Sequence, residues 1–237
     1  MVGLGSCKDK DLIIPPTTPD GGRVTEIERE SFKNQQELTS VAIPEGVTVI
    51  GKDAFCGCSG LATITIPNTV NTLESGAFGY CDGLVSVTVP AGVTSMGSNP
   101  FGSCTSLTSL SVSSNNAYYY CRDNCIIERK TGKLVTGICN SRIPAEVTVI
   151  GERAFAGCDG LTSIVIPKGV TTIEFGAFDF CSSLTSVVIP KSVNQVGAWA
   201  FSGCSGLTIY CEHTSKPDTW DNYWNSSNSR VVWKYRQ

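Results

Sequence analysis

The chain has 237 residues, of which 41% are apolar and only 16% are charged, and its formal net charge is −3. This composition excludes a disordered chain, and the absence of clustered Lys and Arg argues against nucleic-acid binding. The longest apolar runs have three or four residues, as in Val187, Val188 and Ile189, so we expect no segment that spans a bilayer.

The first 22 residues are polar and proline-rich, and we expect them to form a flexible tether. The run Leu4-Gly5-Ser6-Cys7, followed by charged residues, is similar to the acylation signal of bacterial lipoproteins. The residues before Cys7 are too few for a signal peptide, so this interpretation requires a truncated or misassigned start. Two hypotheses stay open: Cys7 is a lipid anchor of an exported protein, or it is a stray cysteine that follows small residues.

A repeat of 23 residues occupies most of the chain after residue 23. Each unit reads L-x-x-I-x-I-P-x-x-V-x-x-I-x-x-x-A-F-x-x-C-x-x. Val24, Ile27 and Phe32 form a half unit at the front. Because one unit buries too little apolar surface to fold alone, neighbouring units must stack, and the sequence predicts a solenoid. The repeated leucines are Leu38, Leu61, Leu84, Leu107, Leu161, Leu184 and Leu207.

Each unit contains three predicted elements. Its L-x-x-I-x-I segment alternates apolar residues, which predicts a short strand with one buried face, and the following proline ends that strand. The V-x-x-I segment predicts a second extended stretch. In A-F-x-x-C, we expect Ala77, Phe78 and Cys81 to share the inner face of a short helical turn.

One unit, at about 107–137, is enlarged. Its segments Cys125–Glu128 and Leu134–Thr136 flank a turn that contains a glycine, and this pattern predicts a β-hairpin that projects from the stack. Tyr118, Tyr119 and Tyr120 precede the hairpin. They are candidate contact residues, since exposed aromatic side chains anchor interfaces, but we favour the alternative that they cover the apolar seam.

Six cysteines occupy the same place in six units: Cys58, Cys81, Cys104, Cys158, Cys181 and Cys204. In-register stacking sets their Cβ atoms about 4.8 Å apart, beyond the roughly 3.5 to 4.5 Å that a disulfide needs. We therefore expect buried thiols that pack as small apolar groups. If any disulfide forms, Cys121, Cys125 and Cys139 are the expected participants.

The C-terminal segment, at about 207–237, loses the repeat and becomes rich in aromatic residues. Since a solenoid must close the end of its core, we expect Trp220 and Trp224 to form a cap rather than a ligand platform. His213 is the single histidine, which disfavours catalytic triads and most zinc sites. We expect it to be a surface residue, and we expect no metal and no cofactor.

The residues that flank the buried isoleucines must point outward from the first strand of each unit, and we name this candidate binding surface the hydroxyl face. Arg142 is its only charge. Cross-strand pairing of Ser and Thr also explains these residues structurally. Phe175 and Trp199 replace polar residues of other units and form a second candidate patch. The hydroxyl face comprises Thr63, Thr65, Ser86, Thr88, Ser109, Ser111, Arg142, Ser163 and Ser186.

Six copies of I-P-x-x-V and A-F-x-x-C make residues 24–210 similar to the BspA-like leucine-rich repeats of bacterial surface proteins. The resemblance implies an α/β, β-rich, horseshoe-type solenoid over 23–237. It places a parallel sheet on the concave face and short helical or 3-10 segments on the convex side. It also implies display outside the cell.

The leading functional hypothesis is therefore a non-catalytic, exported protein that binds a host matrix protein or a cell-surface protein and so mediates adhesion. The resemblance and Cys7 together favour the bacterial surface or periplasm, with attachment as an outer-membrane lipoprotein. A spacer without a ligand of its own is the alternative, and a carbohydrate-binding module is a more remote one. An enzyme is disfavoured, because Asp123 and Glu128 are the best acid–base pair and a poor one.

Overall fold

The computed structural model describes residues 10–236, which fall into two compact units divided between Cys121 and Arg122. Each unit is a parallel β-solenoid whose coils contribute short strands to stacked sheets. The proposed lipid anchor, Cys7, lies outside the described residues. Strands and turns account for the regular structure, and residues 10–236 contain no helix.

Unit 1 carries two series of strands. Partners in neighbouring coils are 23 residues apart, as in Ser40 with Thr63 and Ser86 with Ser109, and the pairing is parallel. The first series contains β1 (Asp11–Ile13), β3 (Ser40–Ala42), β5 (Thr63–Thr65), β7 (Ser86–Val89) and β9 (Ser109–Val112), and the second contains β2 (Glu26–Ile27), β4 (Val49–Ile50), β6 (Thr72–Leu73) and β8 (Ser95–Met96). Strand β10 (Tyr119–Arg122) spans the boundary between the units.

Unit 2 repeats this plan. Its first series contains β14 (Ser163–Val165), β16 (Ser186–Ile189), β18 (Thr208–Cys211) and β19 (Arg230–Val232). The other sheet contains β11 (Cys125–Glu128), β12 (Lys133–Thr136), β13 (Val149–Ile150), β15 (Thr172–Ile173) and β17 (Gln195–Val196). All these pairs are parallel except β11 with β12. The predicted solenoid, its register and its two extended segments per coil are confirmed.

Proline ends the first strand of each coil as predicted, and it also begins the next turn. The Pro67 carbonyl accepts a hydrogen bond from Val70 N at 3.1 Å. The same bond joins Val170 N to the Pro167 carbonyl at 3.0 Å. Proline thus lacks a donor where the sheet stops and supplies the acceptor that reverses the chain.

Columns of phenylalanine rings form the centre of each core. In unit 1, successive rings from Phe32 to Phe101 stack with centroid separations of 5.1, 5.3 and 5.8 Å. In unit 2, Phe178 lies between Phe155 at 5.2 Å and Phe201 at 5.3 Å. The repeated leucines and alanines pack beside these rings and are buried. The apolar positions of the repeat therefore form a continuous interior within each unit.

The helical turn predicted for A-F-x-x-C is wrong. A helix needs each N–H to bond the carbonyl four residues earlier, but Phe55 N bonds the Ala77 carbonyl of the next coil at 2.8 Å. Left-handed residues also interrupt the segment, with φ of 54° at Asp53 and 56° at Tyr80. Hydrogen bonding between coils thus replaces hydrogen bonding within a helix, and the segment is a series of turns.

The front of the chain and the hairpin also differ from expectation. Asp11 to Ile13 pair in parallel with Ser40 to Ala42, so these residues extend the solenoid instead of forming a tether. The hairpin of β11 and β12 is confirmed, but it does not project, because β12 pairs in parallel with β13.

The column cysteines are buried, as predicted. Each of five donates its thiol to the carbonyl of a phenylalanine, as Cys58 does to Phe32 at 3.1 Å. Burial raises the pKa of Cys58 to about 11 and that of Cys211 to about 12. Cys121 and Cys125 donate to backbone carbonyls at 3.1 and 3.3 Å instead of joining in a disulfide.

The aromatic cap is confirmed. Trp220 and Trp224 are buried with ring centroids 4.9 Å apart, and Trp224 packs edge-on against Phe201 at 6.2 Å. His213 is half-buried rather than exposed, since its ring lies 5.1 Å from that of Trp220. Its Nδ1 is buried with no hydrogen-bond partner in the described structure, and burial lowers its pKa.

Candidate binding surfaces

The hydroxyl face points to solvent as predicted. Its residues on β5, β7, β14 and β16 are exposed, and on β9 Ser109 is exposed and Ser111 half-buried. Thr88 and Ser111 share a hydrogen bond of 2.7 Å between neighbouring strands. Ser111 Oγ also lies 3.3 Å from the Val87 carbonyl. These bonds support a structural role for the hydroxyls, and the predicted binding role remains a prediction.

In unit 2, Arg142 is exposed at the entrance to the hydroxyl face, and Val165 is 77% exposed. Both line a surface cavity of about 520 Å³ that also contains Ser163 and Cys139. The cavity therefore joins one cation, one thiol and several small side chains on the same strand face.

The tyrosine segment does not form a continuous exposed patch. Tyr119 is only 4% exposed, and its N–H and that of Tyr118 both bond Asn116 Oδ1, at 2.8 and 2.9 Å. Asn116 is itself buried. This turn directs Tyr119 into the core of unit 1, so Tyr119 is not a contact residue. Tyr118 is exposed and Tyr120 half-buried, which leaves two of the three predicted candidates.

The second predicted patch is larger than the sequence indicated, and we name Phe175, Trp199 and Tyr223 the aromatic ridge. The rings of Phe175 and Trp199 lie 5.2 Å apart and tilted by 44°. Trp199 N bonds the Tyr223 carbonyl at 2.9 Å, so these residues belong to adjacent coils. Trp199 and Tyr223 are 46% and 67% exposed. The ridge thus crosses three successive coils of unit 2.

Charged groups flank the ridge. The Arg153 guanidinium lies 5.7 Å from the centroid of the Phe175 ring, within cation–π range. Burial raises the pKa of Asp179, and the Ser202 hydrogen bond and the Arg153 charge only partly offset this effect. The aromatic rings, one cation and one partly desolvated carboxylate are therefore neighbours on this side of unit 2.

Sequence reasoning missed Tyr223 and two other exposed aromatic residues. Tyr80 and Phe180 occupy one equivalent position two residues after the buried phenylalanine, where other coils carry glycine or serine. A Cβ on Gly203 would lie 2.7 Å from Phe180 Cδ1, so the missing side chain of Gly203 gives that ring its place. The exchange of a small residue for an aromatic one was the available signal.

The surfaces offer contact area rather than a reaction centre. Glu128, half of the weak acid–base candidate, accepts a hydrogen bond from Thr131 in its own turn. Residues 10–236 contain no cluster of three or more His, Cys, Asp or Glu side chains placed to hold a metal ion. In the same range, no helix has the length and hydrophobicity that crossing a membrane requires.

Parallel coils of 23 residues with a buried leucine, phenylalanine and cysteine column define a leucine-rich-repeat solenoid. The model of the BspA type leucine rich repeat region matches residues 25–141 and 135–215 in six copies. The chain belongs to this BspA-type family. No curated protein matches the sequence.

Several solved bacterial structures share the fold. The pneumococcal vaccine antigen PcpA has 15% identity and a TM-score of 0.68, with 96% of this chain and 78% of that chain covered. A leucine-rich repeat protein from Eubacterium ventriosum has 21% identity and a TM-score of 0.54, with 77% of this chain covered. The chain spans 63% of that protein. The T. pallidum leucine-rich repeat protein has 24% identity and a TM-score of 0.50, with 97% and 87% covered.

Proposed function

We propose that this chain is a non-catalytic binding protein, exported to the bacterial surface, that adheres to a protein of a host or of another cell. The observation that carries the proposal is the aromatic ridge. Three aromatic residues in a row, two of them substantially exposed, are unexpected on a surface that only has to be soluble. Aromatic residues are enriched where proteins bind one another.

The shape of the ridge favours a protein partner over a sugar. The Phe175 and Trp199 rings are tilted by 44°, so they do not form the flat platform on which a sugar ring stacks. Trp199 has a left-handed backbone with φ of 58°, which holds its side chain at the turn despite the conformational cost. Tilted rings held in this way leave clefts for the side chains of a partner. The uncharged hydroxyl face adds area without electrostatic steering.

Binding of the intact chain to immobilised extracellular-matrix proteins and to host cells tests the proposal. Trp199→Ala combined with Tyr223→Ala removes the ridge. The matched control is Tyr80→Ala, which removes an aromatic residue that is 59% exposed in unit 1, outside the ridge. We expect the double variant to lose binding by about tenfold or more, since an aromatic anchor contributes about 2 kcal/mol, and the control to bind normally.

Other outcomes separate the alternatives. Equal binding by the parent chain and the double variant contradicts the ridge as a contact surface. Adding Tyr118→Ala and Arg142→Ala then tests the two remaining predicted surfaces. Absence of binding by the parent chain to any protein favours the spacer. Selective loss of binding to a glycan array favours the carbohydrate-binding alternative.

Anchoring through Cys7 is a separate proposal, supported by the Leu4-Gly5-Ser6-Cys7 motif. Expression in a bacterium with its native upstream sequence, followed by labelling with a fatty-acid analogue, tests it. We expect label on the parent protein and none on Cys7→Ala. Equal label on both proteins, or label on neither, contradicts the proposal.

A further inference from the structure

Cys139 is a thiol at a position where the next coils carry a hydroxyl. The corresponding residues one and two coils later are Thr162 and Thr185, and Thr185 Oγ1 bonds the Thr162 carbonyl at 3.4 Å. Cys139 is only half-buried and lies outside the cysteine column. It lines the surface cavity of about 520 Å³. A reagent dissolved in the solvent therefore has access to this sulfur.

The partner of Cys139 is a cysteine of the column. The Cys158 thiol donates a hydrogen bond to Cys139 Sγ. The Cys139 side chain reaches Cys158 across Gly160, where an added Cβ would lie 3.5 Å from Cys139 Cβ and 3.7 Å from its Sγ. Cys158 is 5% exposed. The two sulfurs thus form a pair with one member facing solvent and the other facing the core.

The electrostatic environment makes Cys139 the reactive member of the pair. The hydrogen bond from Cys158 lowers the pKa of Cys139 to about 6, against the opposing effect of partial burial. Cys56 in unit 1 is half-buried as well, but there burial raises the pKa of the thiol. Because the thiolate is the nucleophile, Cys139 is poised for reaction at neutral pH and Cys56 is not.

We propose that Cys139 and Cys158 form a reactive dithiol that small-molecule disulfides convert into a disulfide bond. Cys139 loses its proton to solvent, and its thiolate attacks one sulfur of the reagent. The reagent's S–S bond breaks, one thiolate leaves, and Cys139 carries a mixed disulfide. Cys158 then loses its proton and attacks Cys139 Sγ, which expels the second thiolate. Two protein thiols are oxidised by two electrons, and one disulfide is reduced to two thiols.

The other neighbouring thiols lack this arrangement. Cys181 and Cys204 are also joined by a side-chain hydrogen bond, but both are buried within the column. A reagent in solvent does not meet either sulfur. Access, a lowered pKa and a thiol partner therefore coincide at Cys139 among the cysteines whose side chains the structure describes.

Exchange with glutathione disulfide tests the proposal on the intact folded chain. After incubation at pH 7, remaining thiols are alkylated and the digested protein is mapped by mass spectrometry. We expect a Cys139–Cys158 crosslink in the parent chain. Cys158→Ala should stop at a glutathione adduct on Cys139, and Cys139→Ser should leave Cys158 unmodified. Cys56→Ser, the matched control, should form the crosslink as the parent does.

A second measurement does not depend on variants of the core. In the parent chain, the pH dependence of alkylation by iodoacetamide should have its midpoint near 6 at Cys139 and above 9.0 at Cys56. A midpoint above 8 at Cys139, a mixed disulfide that persists in the parent chain, or a crosslink from Cys139 to a cysteine other than Cys158 would each overturn the proposal.

Discussion

The phenylalanine columns predict a large difference between two substitutions that lie two residues apart. Phe178 is buried between two parallel rings at 5.2 and 5.3 Å, whereas Phe180 is 62% exposed. Phe178→Ala leaves a cavity in the core, which costs about 3 to 5 kcal/mol. Phe180→Ala removes an exposed side chain and should change the unfolding free energy by about 0.5 kcal/mol or less.

Part of the cost at Phe178 belongs to its ring contacts. Each stacked aromatic pair contributes about 0.5 to 1.5 kcal/mol beyond the area it buries, and Phe178 has two such neighbours. Phe178→Leu fills most of the volume without an aromatic face. Its cost should therefore lie between those of the two alanine variants and should report the contribution of stacking.

Urea unfolding followed by circular dichroism measures these differences. In thermal unfolding, Phe178→Ala should lower the midpoint by roughly 6 to 20 °C, from the free-energy loss and about 2 to 4 °C for each kcal/mol. Equal stabilities for the two alanine variants would refute the conclusion that the ring column holds the coils together.

Two further predictions concern a glycine and the histidine. Gly137→Ala would bring its Cβ 2.2 Å from Phe155 Cε1, whereas one coil later a Cβ on Gly160 meets only ordinary contacts. We expect Gly137→Ala to lower the thermal midpoint sharply and Gly160→Ala to change it little, as measured by circular dichroism. Because burial lowers the pKa of His213, the unfolded chain takes up its proton first, and stability should fall as pH drops through 6.5. His213→Gln should flatten this slope in thermal unfolding between pH 7 and 5, and an unchanged slope would assign it to other groups.

The sequence predicts the solenoid because its apolar positions recur at a fixed spacing, and only stacked coils bury all of them. Val187 faces the core in the strand pattern and pairs with Ile164 one coil earlier, as the repeat requires. The A-F-x-x-C turn was mispredicted for a physical reason. Its apolar spacing also fits one turn of helix, and only the hydrogen bonds to the next coil distinguish the two structures.

The candidate sites were less accessible to sequence reasoning. Tyr119 was expected among surface candidates, but the buried Asn116 fixes a turn that directs its side chain inward. The Cys139–Cys158 pair joins positions that do not correspond in the repeat, so periodicity gave no signal for it. Trp199 was recognised because it replaces a polar residue, and Tyr223 was missed because it lies beyond the repeat.

The central claim is that coils of 23 residues stack in parallel and in register. Methyl–methyl nuclear Overhauser effects from Val187 test it directly in solution. The structure pairs Val187 with Ile164 on one side and Ile209 on the other. Strong effects to both neighbours are predicted. Their absence, or effects that link Val187 to residues one position out of this register, would contradict the stacked solenoid.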